Sequence, residues 1–352
     1  MKASQGEYFV GLDHIRALAT FIVFTWHFNH VNGGHQDGPE AFPLSIFAEG
    51  HVGVAMFMTL SGYLFAKLLD GQQIRYIPFL WNRVLRLFPL LIVVFAVVGF
   101  LRPDANSAGS YLLQLAQGFY LPSWPNGGWS IAVELHFYLI LPLLLVISAK
   151  RPANILLVLV LSMGFRLFCW WEAGTVQSFA YWTIVGGIDQ FVLGIFAFKT
   201  REWMAERHLN AAFIGIGLLA YMWAFDSLGG FYRMRVYPSE NPIWIIHPLV
   251  MGVTFGTLIA WYDTSFKMND EGMSGIIAKI GACSYSIYLL HFFVVFRLAE
   301  LINAEVIALS SFPMVLAASL ICFLCFVPFA FVSFRLIELP PLRYRTDYKR
   351  TT

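Results

Sequence analysis

Histidines, carboxylates and arginines set inside otherwise apolar runs are the side chains of this sequence best placed to do chemistry. In GLDHIRALATFIVFTWHF, Arg16 and His27 lie 11 residues apart. At 100° per residue that spacing brings them to within ~20° of one helix face, ~16.5 Å apart along the axis. In WSIAVELHFYLILPLLL, Ser130, Glu134 and Tyr138 follow i, i+4, i+8 and share a face. If the two segments run antiparallel, Glu134 comes to a depth matching His27, where a carboxylate and an imidazole can pair and move a proton. In CSYSIYLLH, Ser284, Tyr288 and His291 fall at i, i+4, i+7. In WNRVLRLFPLL, Arg83 and Arg86 stand at i, i+3, and a guanidinium fork suits phosphate because it binds two oxygens at once. Arg166 and Asp189 are further charges within apolar segments without an obvious partner, and Arg166 is the stronger functional candidate. His51 reads as interfacial. Arg335 and Glu338, three residues apart, read as a local ion pair.

The elements that hold these residues follow from composition. The 352 residues are 58% hydrophobic, 17% aromatic and only 12% charged. Soluble domains carry roughly 25% charge, so a water-facing surface cannot be built from this chain. Soluble enzymes, disordered proteins and disulfide scaffolds are excluded, and a net charge of +2 gives no general polyanion-binding surface, hence no nucleic-acid partner. The chain reads as an all-α polytopic membrane protein in the lipid bilayer. Its four cysteines lie in apolar runs, and Cys322-x-x-Cys325 lacks the second Cys/His pair of a metal site, so no metal is expected. The first segment carries Asp13 and Arg16 and no small-residue cleavage site follows it, as in a retained helix.

A span needs ~20 mostly apolar residues. Ten segments qualify, at about 10–31, 51–69, 84–101, 129–148, 153–171, 179–198, 211–227, 243–262, 278–299 and 312–334. The links are short, so a single membrane-embedded domain over 1–352 (core about 8–343), with no appended soluble domain, is expected. Alternating the loops puts 17 of the 23 Lys and Arg residues on one side. Three (Arg102, Arg233, Arg235) fall on the other and three (Arg16, Arg166, Arg297) within spans. Cytoplasmic loops retain positive charge, so both termini are expected in the cytoplasm.

In this order and layout the segments resemble the membrane acyltransferase-3 family, whose members modify sugars of exported glycans. The matching elements are Arg16-x10-His27, LSGYL (Ser61, Gly62), Arg83-x2-Arg86-x2-Pro89, Trp129-Ser130 with Glu134, Phe137-Tyr138 and Pro142, SYSIYLLH, and Glu338-x-Pro340. They cover about residues 8–343. The chain departs from relatives at Leu135, where a second acid often stands, and at His14, where a small residue is usual. The resemblance implies acyl transfer, commonly of acetyl, from cytoplasmic acyl-CoA as co-substrate, with no permanently bound cofactor. The acceptor would be a hydroxyl of a glycan or lipid-linked sugar on the far side of the cell inner membrane. On that reading Arg16, Arg83 and Arg86 hold the donor phosphates and the pantetheine arm runs along the groove. His27 activates the acceptor hydroxyl with Glu134 assisting, and Ser130, Tyr138, Arg166, Ser284, Tyr288 and His291 support the site. Direct transfer and an acyl-enzyme both stay open, because no Cys or Ser is compellingly placed as a nucleophile. The alternative class is a proton-coupled sugar or glycan transporter, which also buries His, Glu, Asp and Arg. Such carriers more often show inverted repeats and Gly/Pro-broken helices in matching halves, and neither is evident here.

Overall fold

A computed structural model describes residues 9–29, 41–101, 108–232 and 237–351. The counted charges Lys2, Arg102, Arg233 and Arg235, the tail of the first segment and parts of the loops at 32–50, 102–128 and 228–242 lie outside the described residues. The architecture is helical. In a bilayer every backbone N–H and C=O must be satisfied by the protein itself, and an apolar run of this length meets that condition within its own segment by coiling into a helix. In chain order the helices are α1 (Val10–Phe28), α2 (Ser45–Ala48), α3 (Val52–Leu68), α4 (Tyr76–Leu101), α5 (Ala108–Gln117), α6 (Trp129–Lys150), α7 (Leu156–Ala173) and α8 (Gln177–Trp182). There follow α9 (Ile184–Lys199), α10 (His208–Ser227), α11 (Ile243–Ser265), α12 (Gly272–Ala282), α13 (Ser284–Leu290), α14 (Val295–Leu301) and α15 (Phe312–Ser333).

Each of the ten segments coincides with helix, but they are not alike. Six helical stretches are long and apolar enough to cross a membrane: 76–101, 129–150, 152–173, 208–227, 243–265 and 312–344. The pair α12 and α13 makes a seventh if counted as one span, bent by 49° at the break before Ser284. The remaining segments, α1, α3 and α9, are shorter or carry more charge, and they are the enclosed ones. Eleven of the 16 residues of α9 are buried, against three of the 18 in α7. Helices wrapped by protein do not need an all-apolar surface, and they can hold polar groups against one another.

Glycine lets these inner helices touch. A Cβ on Gly62 of α3 would lie 2.0 Å from the Phe191 carbonyl oxygen of α9, and one on Gly194 would lie 2.0 Å from the Thr59 oxygen. The two helices therefore meet backbone to backbone, as small residues permit in membrane bundles.

Two boundaries differ from the sequence reading. Helix α4 begins at Tyr76 rather than near 84, because the polar Asn82, Arg83 and Arg86 disguise its first two turns. The sixth segment is broken at Thr183, whose hydroxyl accepts from the Gly186 N–H and caps α9. After α15 the chain makes a π-helical turn over Phe334–Glu338. Its end then returns as β2 (Lys349–Thr351), antiparallel to β1 (Gln72–Ile74), the connection between α3 and α4. The expected local pair of Arg335 and Glu338 does not form. Arg335 is exposed and lies over the Phe331 ring, 5.0 Å from its centroid, while Glu338 turns inward.

Candidate active site

A cavity of about 210 Å³ runs between α1, α3, α4, α6 and α13. One end is cationic. Arg16, Arg83 and Arg86 line it as the sequence leads one to expect, and Arg345 joins them from the returning chain end. Two of the four are neutralised. Arg16 donates to Asp13, one turn earlier on α1. Arg86 donates to Glu338 at 2.5 Å, and Glu338 also accepts from Ser286, so a fully buried carboxylate has two donors. The other two have no carboxylate partner among the described residues. The Arg83 guanidinium lies over the rings of Phe65 (5.0 Å), Phe79 (5.5 Å) and Tyr138 (5.8 Å). Its Nε is buried without a hydrogen-bond partner, as is the Nε of Arg345. Burial, with the nearby Arg83 and Arg86 charges added, lowers the Arg345 pKa to about 10.

Further along, Ser130, Glu134 and Tyr138 line the cavity together, the shared face of α6 that their spacing predicts. Tyr138 donates to Glu134, and Ser61 of α3 donates to the same oxygen at 3.3 Å. The Ser61 and Glu134 elements thus meet across two helices. At the far end, the Ser130 and Tyr288 hydroxyls stand 2.8 Å apart, and Tyr288 also donates to the Gly127 carbonyl at 3.1 Å. Ser284 lines the same wall.

His27 and His291 are not on the cavity wall. They lie behind Tyr288, whose ring centroid is 6.1 Å from that of His291. The expected partnership of His27 with Glu134 is absent. Glu134 takes its hydrogen bonds from Ser61 and Tyr138, and His27 instead packs among the rings of Trp26, Phe292 and His291, with His291 Nε2 3.1 Å from His27 Nδ1. The contacts assign the tautomers. His291 Nδ1 is 3.1 Å from the Ile287 carbonyl oxygen, so it carries the proton and Nε2 the lone pair. His27 Nδ1, 2.9 Å from the Val23 oxygen and facing that lone pair, also carries its proton. The lone pair of His27 is therefore on Nε2. A neutral imidazole with its other nitrogen committed as a donor is the form a general base requires.

Arg166 lies away from the cavity. It finds the partner the sequence did not show, Asp189, in a pair that is completely buried on both sides. The guanidinium spans both carboxylate oxygens at 3.1 and 2.6 Å and also donates to Ser162 and to the Gly186 and Ile245 carbonyls. This geometry ties α7, α9 and α11 together. His14 bridges Tyr262 and the Ser274 carbonyl at 2.8 Å each, linking α1 to α11 and α12. His51, read as interfacial, is buried within the protein between Glu49 (3.3 Å) and His247 (3.4 Å).

Sequence reasoning missed the inward turn of Arg345. The helical stretch runs through Pro340 and Pro341 to Tyr344, and the backbone turns extended only at Arg345, a change that no residue type there announces.

The family profile described as an acyltransferase domain, acyltransferase 3, matches residues 9–332. A peptidoglycan O-acetyltransferase of Listeria monocytogenes is 24% identical over 325 residues, covering 81% of this chain and 49% of its own length. A candidate O-acetyltransferase of Staphylococcus aureus is 25% identical over 346 residues, covering 84% of this chain and 52% of its own. A candidate peptidoglycan O-acetyltransferase of Bacillus subtilis is 28% identical over 215 residues, 51% of this chain and 31% of its own length. The chain spans about half the length of the first two of these relatives and less of the third. No solved structure matches it.

Proposed function

The chain belongs to the acyltransferase-3 family of membrane proteins, and on that premise we propose that it is an O-acetyltransferase acting across the bilayer. The donor is acyl-CoA, most simply acetyl-CoA, bound from the cytoplasm. The acceptor is a glycan hydroxyl, peptidoglycan or another surface or lipid-linked sugar, presented on the opposite face of the cell inner membrane. All ten helical segments cross, and both termini lie on the cytoplasmic side with the arginine end of the cavity. The observation that carries this reading is the cavity itself. One continuous space joins two arginines without carboxylate partners to a wall of hydroxyls backed by a histidine pair.

The chemistry follows from the positions. Arg16, Arg83 and Arg86 face the phosphates at the mouth, and the slender thioester arm extends past Glu134. Tyr138 and Ser61 hold Glu134 in place. Turned from the Gly127 carbonyl, to which both now donate, the Ser130 and Tyr288 hydroxyls would stabilise charge developing on a thioester carbonyl oxygen. His27 Nε2 takes the proton of the acceptor hydroxyl as its oxygen attacks the carbonyl carbon. The C–S bond then breaks, the ester forms, and the thiolate leaves as CoA after taking up that proton. His291 holds His27 in the reactive tautomer. Because Tyr288 lies between the cavity and the histidines, the donor reaches His27 only when the Tyr288 hydroxyl leaves Ser130.

The test is release of CoA thiol and transfer of radiolabelled acetyl by the purified protein. Wild type turns over acetyl-CoA, and His27→Ala, still monodisperse, loses ~10²- to 10⁴-fold in kcat, the usual contribution of a general base. Turnover that persists in His27→Ala overturns the base assignment. Solute flux into vesicles without acyl-CoA would favour the carrier class instead.

A further inference from the structure

The chain end is not a loose tail after the last long helix. Residues 344–348 are held by hydrogen bonds to their backbone. Trp81 Nε1 donates to the Tyr344 carbonyl at 3.2 Å, and the Arg75 N–H donates to that of Tyr348 at 2.8 Å. Asn82 clamps Thr346 from both sides, donating to its carbonyl at 2.7 Å and accepting from its N–H at 3.0 Å. The β1–β2 pairing extends the attachment to residue 351. Bonds of this kind fix the path of a segment without using its side chains, which leaves Arg345 and Tyr348 to face inward, and both line the cavity. Tyr348 is 1% exposed, edge-on to Phe79 at 5.6 Å.

The charge at this end is unbalanced. Asp13 answers Arg16 and Glu338 answers Arg86, leaving Arg83 and Arg345 without a carboxylate among the described residues. Each has a buried Nε with no acceptor. Two neighbouring cations partly withdrawn from water, neither with a carboxylate partner among the described residues, repel each other, and that cost falls when a doubly charged anion enters between them. Stability of the empty protein gives no reason to bring a second unpaired guanidinium to this wall.

We infer that Arg345, fixed by the clamped segment 344–351, is a fourth arginine of the donor site and takes a phosphate of the donor jointly with Arg83. The inference rests on the acyl-CoA reading above and names a residue outside the matched stretch 9–332.

The experiment separates the two claims. CoA binding is measured by calorimetry on the purified full chain carrying His27→Ala, so that no turnover intervenes. Arg345→Ala, added to that background, is expected to weaken CoA binding about 10- to 100-fold, the cost of losing a charged hydrogen bond. The exposed neighbour Arg343→Ala should bind as the parent does. Among turnover variants, Arg345→Ala should raise KM for acetyl-CoA by a similar factor while leaving KM for acetyl-pantetheine, which lacks phosphates, unchanged. If Arg345→Ala does not fold, Arg345→Gln keeps the stem without the charge and is expected to show the same donor-selective loss. CoA affinity unaltered by the Arg345 variants would overturn this proposal and leave the function standing. An equal loss with both donors would assign Arg345 to structure alone. Binding of phospholipid headgroup phosphate or inorganic phosphate, with no competition from CoA, would also overturn it. Failure of the parent itself to bind CoA would sink the acyl-CoA reading, and this inference with it.

Discussion

His27 shows what a single residue's surroundings add to its identity. Its spacing from Arg16 predicts a shared groove-facing side, but the imidazole lies behind Tyr288 as half of a histidine pair. Helical periodicity tells which face a residue occupies, not which neighbour will stand opposite. That is why the constellation Ser130, Glu134 and Tyr138 was legible within one helix, whereas three contacts between helices were not: His27 with His291, Arg86 with Glu338, and Arg166 with Asp189. The positioning role of His291 leads to an expected pattern. His291→Leu, which removes the acceptor facing His27 Nδ1–H, lowers kcat by about two orders of magnitude with KM for acetyl-CoA unchanged. His291→Asn, which offers a carbonyl oxygen, restores part of it. Steady-state kinetics in detergent would show whether kcat and KM separate in this way. At Arg166 the expectation concerns stability. Asp189→Leu leaves a buried guanidinium unpaired, costing about 3–5 kcal/mol, while Arg166→Met combined with Asp189→Leu is milder. Thermal unfolding of the three proteins checks the order.

At the scale of the elements, the site joins two helices that read poorly as membrane spans, α1 and α3, to two strongly apolar ones, α4 and α6. Segments α1, α3 and α9 carry charge or glycine because they contact protein rather than lipid, and their tight approach depends on positions with no side chain. Gly62→Ala places a methyl group against the Phe191 carbonyl and forces α3 and α9 apart. The expected cost is about 1–3 kcal/mol or more, with a lower unfolding temperature and weaker activity together, because Ser61 is displaced from Glu134. A normal unfolding temperature in Gly62→Ala would show that the helices can separate freely. The apolar runs showed where helix forms, since hydropathy drives such runs into helix, and among the described residues six helical stretches, or seven with the bent pair, are long and apolar enough to cross a membrane. The runs concealed the true start of α4, because Asn82, Arg83 and Arg86 are polar for reasons of site and clamp rather than of bilayer. The clamp over residues 344–348 was invisible for a related reason: its bonds are to backbone atoms, which every sequence offers alike.

For the molecule as a whole, scarcity of charge and its placement reflect one design. Basic residues crowd one set of loops, and the described parts of that set are joined in space. Lys67 pairs with Asp263, Lys199 with Asp70, and the chain end pairs with the strand after α3. On the proposed orientation, a cysteine at Glu271 is labelled by an impermeant thiol reagent only from the cytoplasmic side and one at Tyr120 only from the opposite side. Labelling of both from one side would break the alternation. The central claim, that one protein carries an acyl group from an arginine-lined cavity to a hydroxyl beyond a histidine pair, is tested most directly in sealed, uniformly oriented proteoliposomes. Radiolabelled acetyl-CoA is placed on the arginine side and a glycan acceptor on the other, and acetylated acceptor is measured with time. The account predicts acetyl ester on the far side with wild type and almost none with His27→Ala. Ester appearing only when donor and acceptor share a compartment, or at an equal rate in His27→Ala, would contradict it.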